Sequence, residues 1–287
     1  MEKKTEILIE GLTFTEGPRW REDRLFFSDF FTKRVLSVDL QGNVETIVET
    51  EYQPSGLGWR PDGTLLIVSM NDRKLLGLKD GILKEEADLS NLASFHCNDM
   101  VVDNLGNAYI GNFGFDLHGG EKLKSTNLIL VRPGKEPEEI AQDLYFPNGA
   151  VITPDSKTLI IGETFGNKLT AFDINEDASL FNRRVWADLS SIKDDYSPVP
   201  DGICLDEEGA IWVASPTTSD VLRVAEGGIL LDRIEVETNA YACMLGGEDR
   251  KTLFISTSKD SSEEACLTDQ SAKIEVVRVD VPGAGLP

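Results

Sequence analysis

Four residues with side-chain oxygen, Glu16, Asn98, Asn148 and Asp201, stand at the same place in a recurring frame. The frame reads Glu16-Gly-Pro-Arg-Trp, Asn98-Asp-Met-Val-Val, Asn148-Gly-Ala-Val-Ile and Asp201-Gly-Ile-Cys-Leu. Ser55-Gly-Leu-Gly-Trp and, more weakly, Ala242-Cys-Met-Leu-Gly complete it. Two carboxylates and two amide oxygens that converge would suit a hard divalent cation. Calcium accepts about 6–8 oxygen ligands in irregular geometry, and Glu16 with Asp201 would neutralise its charge. All-oxygen donors put calcium first, with zinc, magnesium or manganese as alternatives. The competing explanation is turn chemistry, because Asn and Asp before Gly are common turn formers. Glutamate is not, and two carboxylates brought together without a cation repel one another.

The frame converges only if the chain folds to bring its copies together. Tyr145–Ile174 shows the unit. Ala150–Ile152 is an apolar run, Pro154-Asp155-Ser156 a turn, and Thr158–Ile161 a second run. Gly166-Asn167-Lys168 is a second turn and Leu169–Phe172 a third strand, with no helical periodicity anywhere in the stretch. Six copies of about 40–50 residues, each of four short strands, predict an all-β fold, a six-bladed β-propeller with four antiparallel strands per blade. The last copy, ending at Ile274–Val279, is one strand short; Ile7–Glu10 can supply it and clasp the ring shut. No linker-like segment interrupts the copies, so residues 1–287 read as one domain. In a propeller the first strand of each blade lines the central channel, which places the four oxygen-bearing residues in one ring.

The net charge of −22 argues against nucleic acid and anionic membranes as partners, and the scattered acids fit a solvated surface. No apolar run approaches the roughly 20 residues of a membrane helix. The N-terminal Met-Glu-Lys-Lys-Thr-Glu lacks the apolar core of a signal peptide, so a cytoplasmic location is expected. Cys97, Cys204, Cys243 and Cys266 show no close pairing in sequence and are expected to be free thiols. Oligomeric state is not legible in the sequence.

Glu16-Gly-Pro, Asn98-Asp, Phe146-Pro-Asn-Gly and Pro200-Asp-Gly, in this order and spacing, resemble the gluconolactonase/regucalcin (senescence marker protein) family. The resemblance runs nearly the whole chain and implies a six-bladed propeller with one divalent metal, usually calcium, in its channel. It implies hydrolysis of a lactone or related cyclic ester. Glu16, Asn148 and Asp201 match metal-binding positions; Asn98 matches an asparagine that binds metal in some members and substrate in others. On that basis Asp201 is the catalytic candidate, as general base, as nucleophile, or as orienter of an attacking water. Hydrolysis of organophosphates or phosphorus–fluorine bonds at the same metal is the alternative reaction, and a calcium-binding regulatory protein the non-enzymatic one.

The ends of the second strands should approach the channel mouth. Asn112 and Glu163 are expected as polar contacts to substrate, with Phe31, Phe113 and Phe165 as apolar walls or inter-blade packing. Two insertions, Phe115–Thr126 and Ser190–Pro200, have the length of loops that cover pockets. The first carries His118, a candidate acid for the leaving alkoxide. His96 is a candidate substrate contact and occupies a place where sugar-lactone hydrolases of the resembling family often carry arginine. That departure favours a less polar lactone.

Overall fold

The computed structural model describes residues 3–192 and 196–287. Short apolar runs separated by turns form strands, which hydrogen-bond into six four-stranded sheets. The innermost strands are Thr15–Arg21, Pro54–Trp59, Cys97–Val102, Pro147–Ile152, Ile203–Leu205 and Asn239–Gly246, which define blades 1 to 6. Each packs against the innermost strand of the next blade, and Thr15–Arg21 meets Asn239–Gly246 to close the circle. This is a six-bladed β-propeller. In blades 1 to 5 the strands follow chain order outward. In blade 6 the outermost strand is Glu6–Leu12, antiparallel to Ala272–Arg278, so the two ends of the chain clasp the ring as expected.

The core lies between neighbouring blades. Leu25, Phe27, Trp212 and Phe254 belong to one cluster spanning blades 5, 6 and 1. Around the axis the innermost strands crowd, and this explains the glycine after position one. A Cβ on Gly149 would come within 2.5 Å of the Ile203 nitrogen, and one on Gly202 within 2.5 Å of the Ala242 Cβ. The Asn-Gly and Asp-Gly pairs therefore answer to close approach of blades, not to turns.

Three features differ from the sequence expectation. Thr164–Gly166 forms a 3-10 turn closed by Asn167 in the left-handed conformation, inside a stretch read as strand and turn only. A short helix, Glu263–Asp269, interrupts blade 6. Beyond Val279, the C-terminal tail crosses beneath three blades. Gly283 N–H donates to Arg250 O, Ala284 N–H to Leu205 O, and Leu286 exchanges both backbone hydrogen bonds with Ile152. The four cysteines are buried and free, with the Cys204 and Cys243 sulfurs 3.9 Å apart. Among the described residues no helix is long and apolar enough to cross a membrane.

Candidate active site in the central channel

Local irregularity in the innermost strands aims the position-one side chains. Their pairing with the second strand slips between Glu16 and Arg19, Cys97 and Met100, and Pro147 and Ala150. A bulge of this kind turns a side chain out of the pleat and often accompanies a functional site. Blade 5 reaches the same result differently, because its inner strand begins only at Ile203. Asp201, just before it, is held by its N–H to Ala214 O (3.0 Å) and its carbonyl to Gly149 N–H (3.2 Å).

Glu16, Asn98, Asn148 and Asp201 are buried and line one cavity of about 550 Å³. Asn148 Nδ2 donates to Asp201 Oδ1 and, at 3.2 Å, to Thr164 Oγ1. Asn98 Nδ2 points to Pro147 O at 3.5 Å. Both amides thus direct their NH₂ groups to protein neighbours, and among the described residues nothing donates to their carbonyl oxygens. Among the described residues, Glu16 accepts only its neighbour's Gly17 N–H (3.3 Å), and Asp201 Oδ2 accepts nothing.

The electrostatics follow from that arrangement. Burial, together with the nearby Asp201 and Asp99 carboxylates, pushes Glu16 well above the usual carboxylate range. Burial pushes Asp201 up to about 8, opposed by the Asn148 hydrogen bond and assisted by Asp99. Burial also lowers His96, so its imidazole is neutral at pH 7. Among the described residues, no cluster of three or more His, Cys, Asp or Glu side chains has the form of a metal site. The ring offers two carboxylates and two amides instead.

His96, Phe113 and His118 also line this cavity, as do Phe31 and Phe165. His96 stacks on Phe95 with centroids 4.1 Å apart. The loop bearing His118 thus contributes to the cavity wall through Leu117 and His118; of the second insertion Val199 reaches the cavity, while residues 193–195 lie outside the described residues.

Asn112 and Glu163 are elsewhere. Asn112 Nδ2 donates to Asn127 O (3.0 Å), and its Oδ1 accepts from Thr126 Oγ1 (2.6 Å). Glu163 accepts from Tyr145 N–H (2.9 Å) and from Thr170 Oγ1, and pairs with Arg183 and Lys168. Asp29 does the same work in blade 1, accepting from Thr13 N–H and Phe14 N–H. The last residue of these second strands is therefore a latch within its own blade: Asp29 and Glu163 hold the segment entering it, and Asn112 holds the start of the third strand. Substrate-facing positions start one residue later, at Phe30, Phe113 and Thr164. Sequence reasoning also missed Phe14, Gln53 and Tyr241 on the cavity wall, and Glu263 from the unforeseen helix. A larger cleft of about 720 Å³, lined by Asp103, Leu105, Asp155 and Phe181, contains none of the expected site residues.

Fold and channel together define a six-bladed propeller with an oxygen-lined pocket on its axis. Residues 14–259 match the SMP-30/Gluconolactonase/LRE-like region, and the chain belongs to that family. It is 26% identical over 281 residues to the 6-deoxy-6-sulfogluconolactonase of Pseudomonas putida, covering 95% of this chain and 93% of that protein. It is 26% identical over 295 residues to the pentonolactonase of Haloferax volcanii, covering 99% of this chain and 96% of the other. In structure it resembles regucalcin, a calcium-binding protein, from Agrobacterium tumefaciens, with TM-score 0.82 and 21% identity over 100% of this chain and 97% of that one. That structural likeness bears on the fold alone.

Proposed function

We propose that this protein is a calcium-dependent hydrolase that opens a lactone or related cyclic ester. The observation that carries the reading is the pair of buried carboxylates, Glu16 and Asp201, facing a cavity on whose wall the described residues place no lysine or arginine. The lactonase names of the two curated relatives support the reaction class. A divalent cation fits the residues present, because two uncompensated carboxylates and two donor-free amide oxygens supply only hard ligands. Glu16, Asn148 and Asp201 would hold it, with Asn98 as a further ligand or a contact to substrate. When bound, such an ion supplies polarisation of the lactone carbonyl and compensation for the negative charge that develops on its oxygen.

The chain's own groups do the rest. Asp201 keeps one oxygen on the Asn148 amide and leaves the other toward the cavity, available to take a proton from water or to attack the carbonyl. Water adds to the carbonyl carbon, the ring C–O bond breaks, and the departing alkoxide takes a proton to give the hydroxy acid. His118, which lines the cavity, would donate that proton. Phe113 and Phe165 exclude bulk water from the reacting face.

The test is proton release from a lactone panel by chelator-stripped protein, with and without calcium, beside Asp201→Asn. We expect calcium-dependent turnover that falls by at least about 100-fold in the variant. Calcium binding without turnover would overturn the enzymatic reading, and absence of cation binding would overturn the metal.

A further inference from the structure

We propose that the substrate is an uncharged lactone carrying an alkyl or aryl substituent, gripped between two aromatic walls on opposite sides of the channel. The inference rests on the lactonase reading and names its substrate class.

Six of the chain's 13 phenylalanines line this one cavity: Phe14, Phe30, Phe31, Phe113, Phe146 and Phe165. They fall into two groups. Phe14 lies 5.2 Å from Phe30 and 4.6 Å from Tyr241, which forms a wall from blades 1 and 6. Phe146 lies 4.3 Å from Phe113 and 5.1 Å from Phe165, which forms a wall from blades 3 and 4. In a ring of six consecutive blades these pairs face each other across the axis. On the blade 2 side Met70 joins the two groups into one apolar cluster, with Gln53 and Asn71 beside it, and Thr217 from blade 5 occupies the other side.

Phe146 is held at φ 58°, a left-handed conformation that a bulky side chain rarely adopts. Such strain, of order 1 kcal/mol or more, persists where the surrounding structure requires it, and here it delivers a ring to the pocket wall.

Charge points the same way. Among the described residues no lysine or arginine lines the cavity, while Glu16, Asp201 and Glu263 do. A carboxylate or sulfonate on the substrate would meet these carboxylates without a lysine or arginine from the described wall to pair with. A polyhydroxylated ring could pair hydroxyls with Gln53, Asn71 and Thr217 at the sides, but those turned to the two walls would exchange water for phenyl faces, which is costly. An alkyl or aryl substituent instead buries apolar surface, at roughly 25 cal/mol per Å². A cavity of about 550 Å³ has room for the lactone ring and a substituent of several carbons.

The experiment compares kcat/KM of the calcium-loaded protein for a heptyl δ-lactone and an aryl-fused lactone against glucono-δ-lactone. Calorimetry with the corresponding non-hydrolysable lactams runs in parallel. We expect at least a tenfold preference for the apolar compounds in both. Phe30→Ala should lower the ratio of heptyl to unsubstituted lactone by about tenfold, and Phe30→Leu should recover most of it. Turnover of glucono-δ-lactone equal to or faster than that of the apolar lactones would overturn the substrate assignment and leave the lactonase reading standing. Selective binding of the apolar lactams with no lactone hydrolysed would sink the lactonase reading while upholding the pocket's preference. Equal binding of all lactams would overturn the inference whatever the turnover.

Discussion

Arg19 of blade 1 donates a hydrogen bond from its guanidinium to Asp99 Oδ1 of blade 3 at 2.6 Å, with both side chains buried. The same guanidinium also reaches Pro18 O, Leu57 O and Met100 O, so one side chain ties three blades together at the axis. Asp99 contributes to the upward push on both Glu16 and Asp201. Removing its partner would leave the buried Asp99 carboxylate with the Met100 N–H but no counter-charge, and would take a donor from three carbonyls. Arg19→Met is therefore expected to cost about 3–5 kcal/mol, read from urea unfolding midpoints. A loss below 1 kcal/mol would show that the pair is incidental.

Cation binding should depend on pH in a defined sense. Glu16 and Asp201 titrate higher in the folded, metal-free protein than in the unfolded chain. Their contribution to stability is then fully present below the unfolded carboxylate range, near pH 4, and is lost as pH rises through the folded values, about 8 for Asp201. The deprotonated pair is also the form that a cation neutralises. Calcium should raise the melting temperature more at pH 8 than at pH 5, measured against chelator at each pH. An equal rise at both would mean the pair does not receive the ion.

Glu163 separates latch from substrate contact. Its carboxylate is fully buried and gathers the Tyr145 N–H, Thr170 hydroxyl and Arg183 within blade 4. Glu163→Ala should lower unfolding free energy by about 2–3 kcal/mol while the KM for any lactone moves less than twofold. A raised KM with unchanged stability would restore Glu163 to the pocket wall.

The C-terminal tail offers a fourth test. Truncation after Pro282 removes the hydrogen bonds that Gly283, Ala284 and Leu286 make to blades 6, 5 and 4, and the packing of Leu286 against blade 4. At about 0.5–1.5 kcal/mol for each of four net hydrogen bonds, a loss of roughly 2–6 kcal/mol is expected in chemical denaturation. Unchanged stability would make the tail an ornament of the underside.

The sequence by itself determined the repeat, the number of blades, the clasp by the N-terminal strand, and the residues that face the axis. Each of these is a matter of period: apolar runs and turns recur at a fixed interval, and equivalent positions in a closed ring meet. Glu16, Asn98, Asn148 and Asp201 were legible because one register links them, although they are far apart in the chain. Tertiary structure decided what period cannot express. The glycine after position one reflects the distance between neighbouring inner strands, a contact between blades that no single copy reveals. Asn112 and Glu163 differ from Phe113 and Thr164 by one residue in sequence, yet the strands end at Asn112 and Glu163, and the residue after each leaves the sheet and lines the cavity. Whether a polar group at a strand end serves its own blade or the cavity depends on the donors packed around it. Those donors come from the other strands of the blade and the segment entering it, as with Thr126 for Asn112 and Tyr145, Thr170 and Arg183 for Glu163, and only the folded blade brings them within reach.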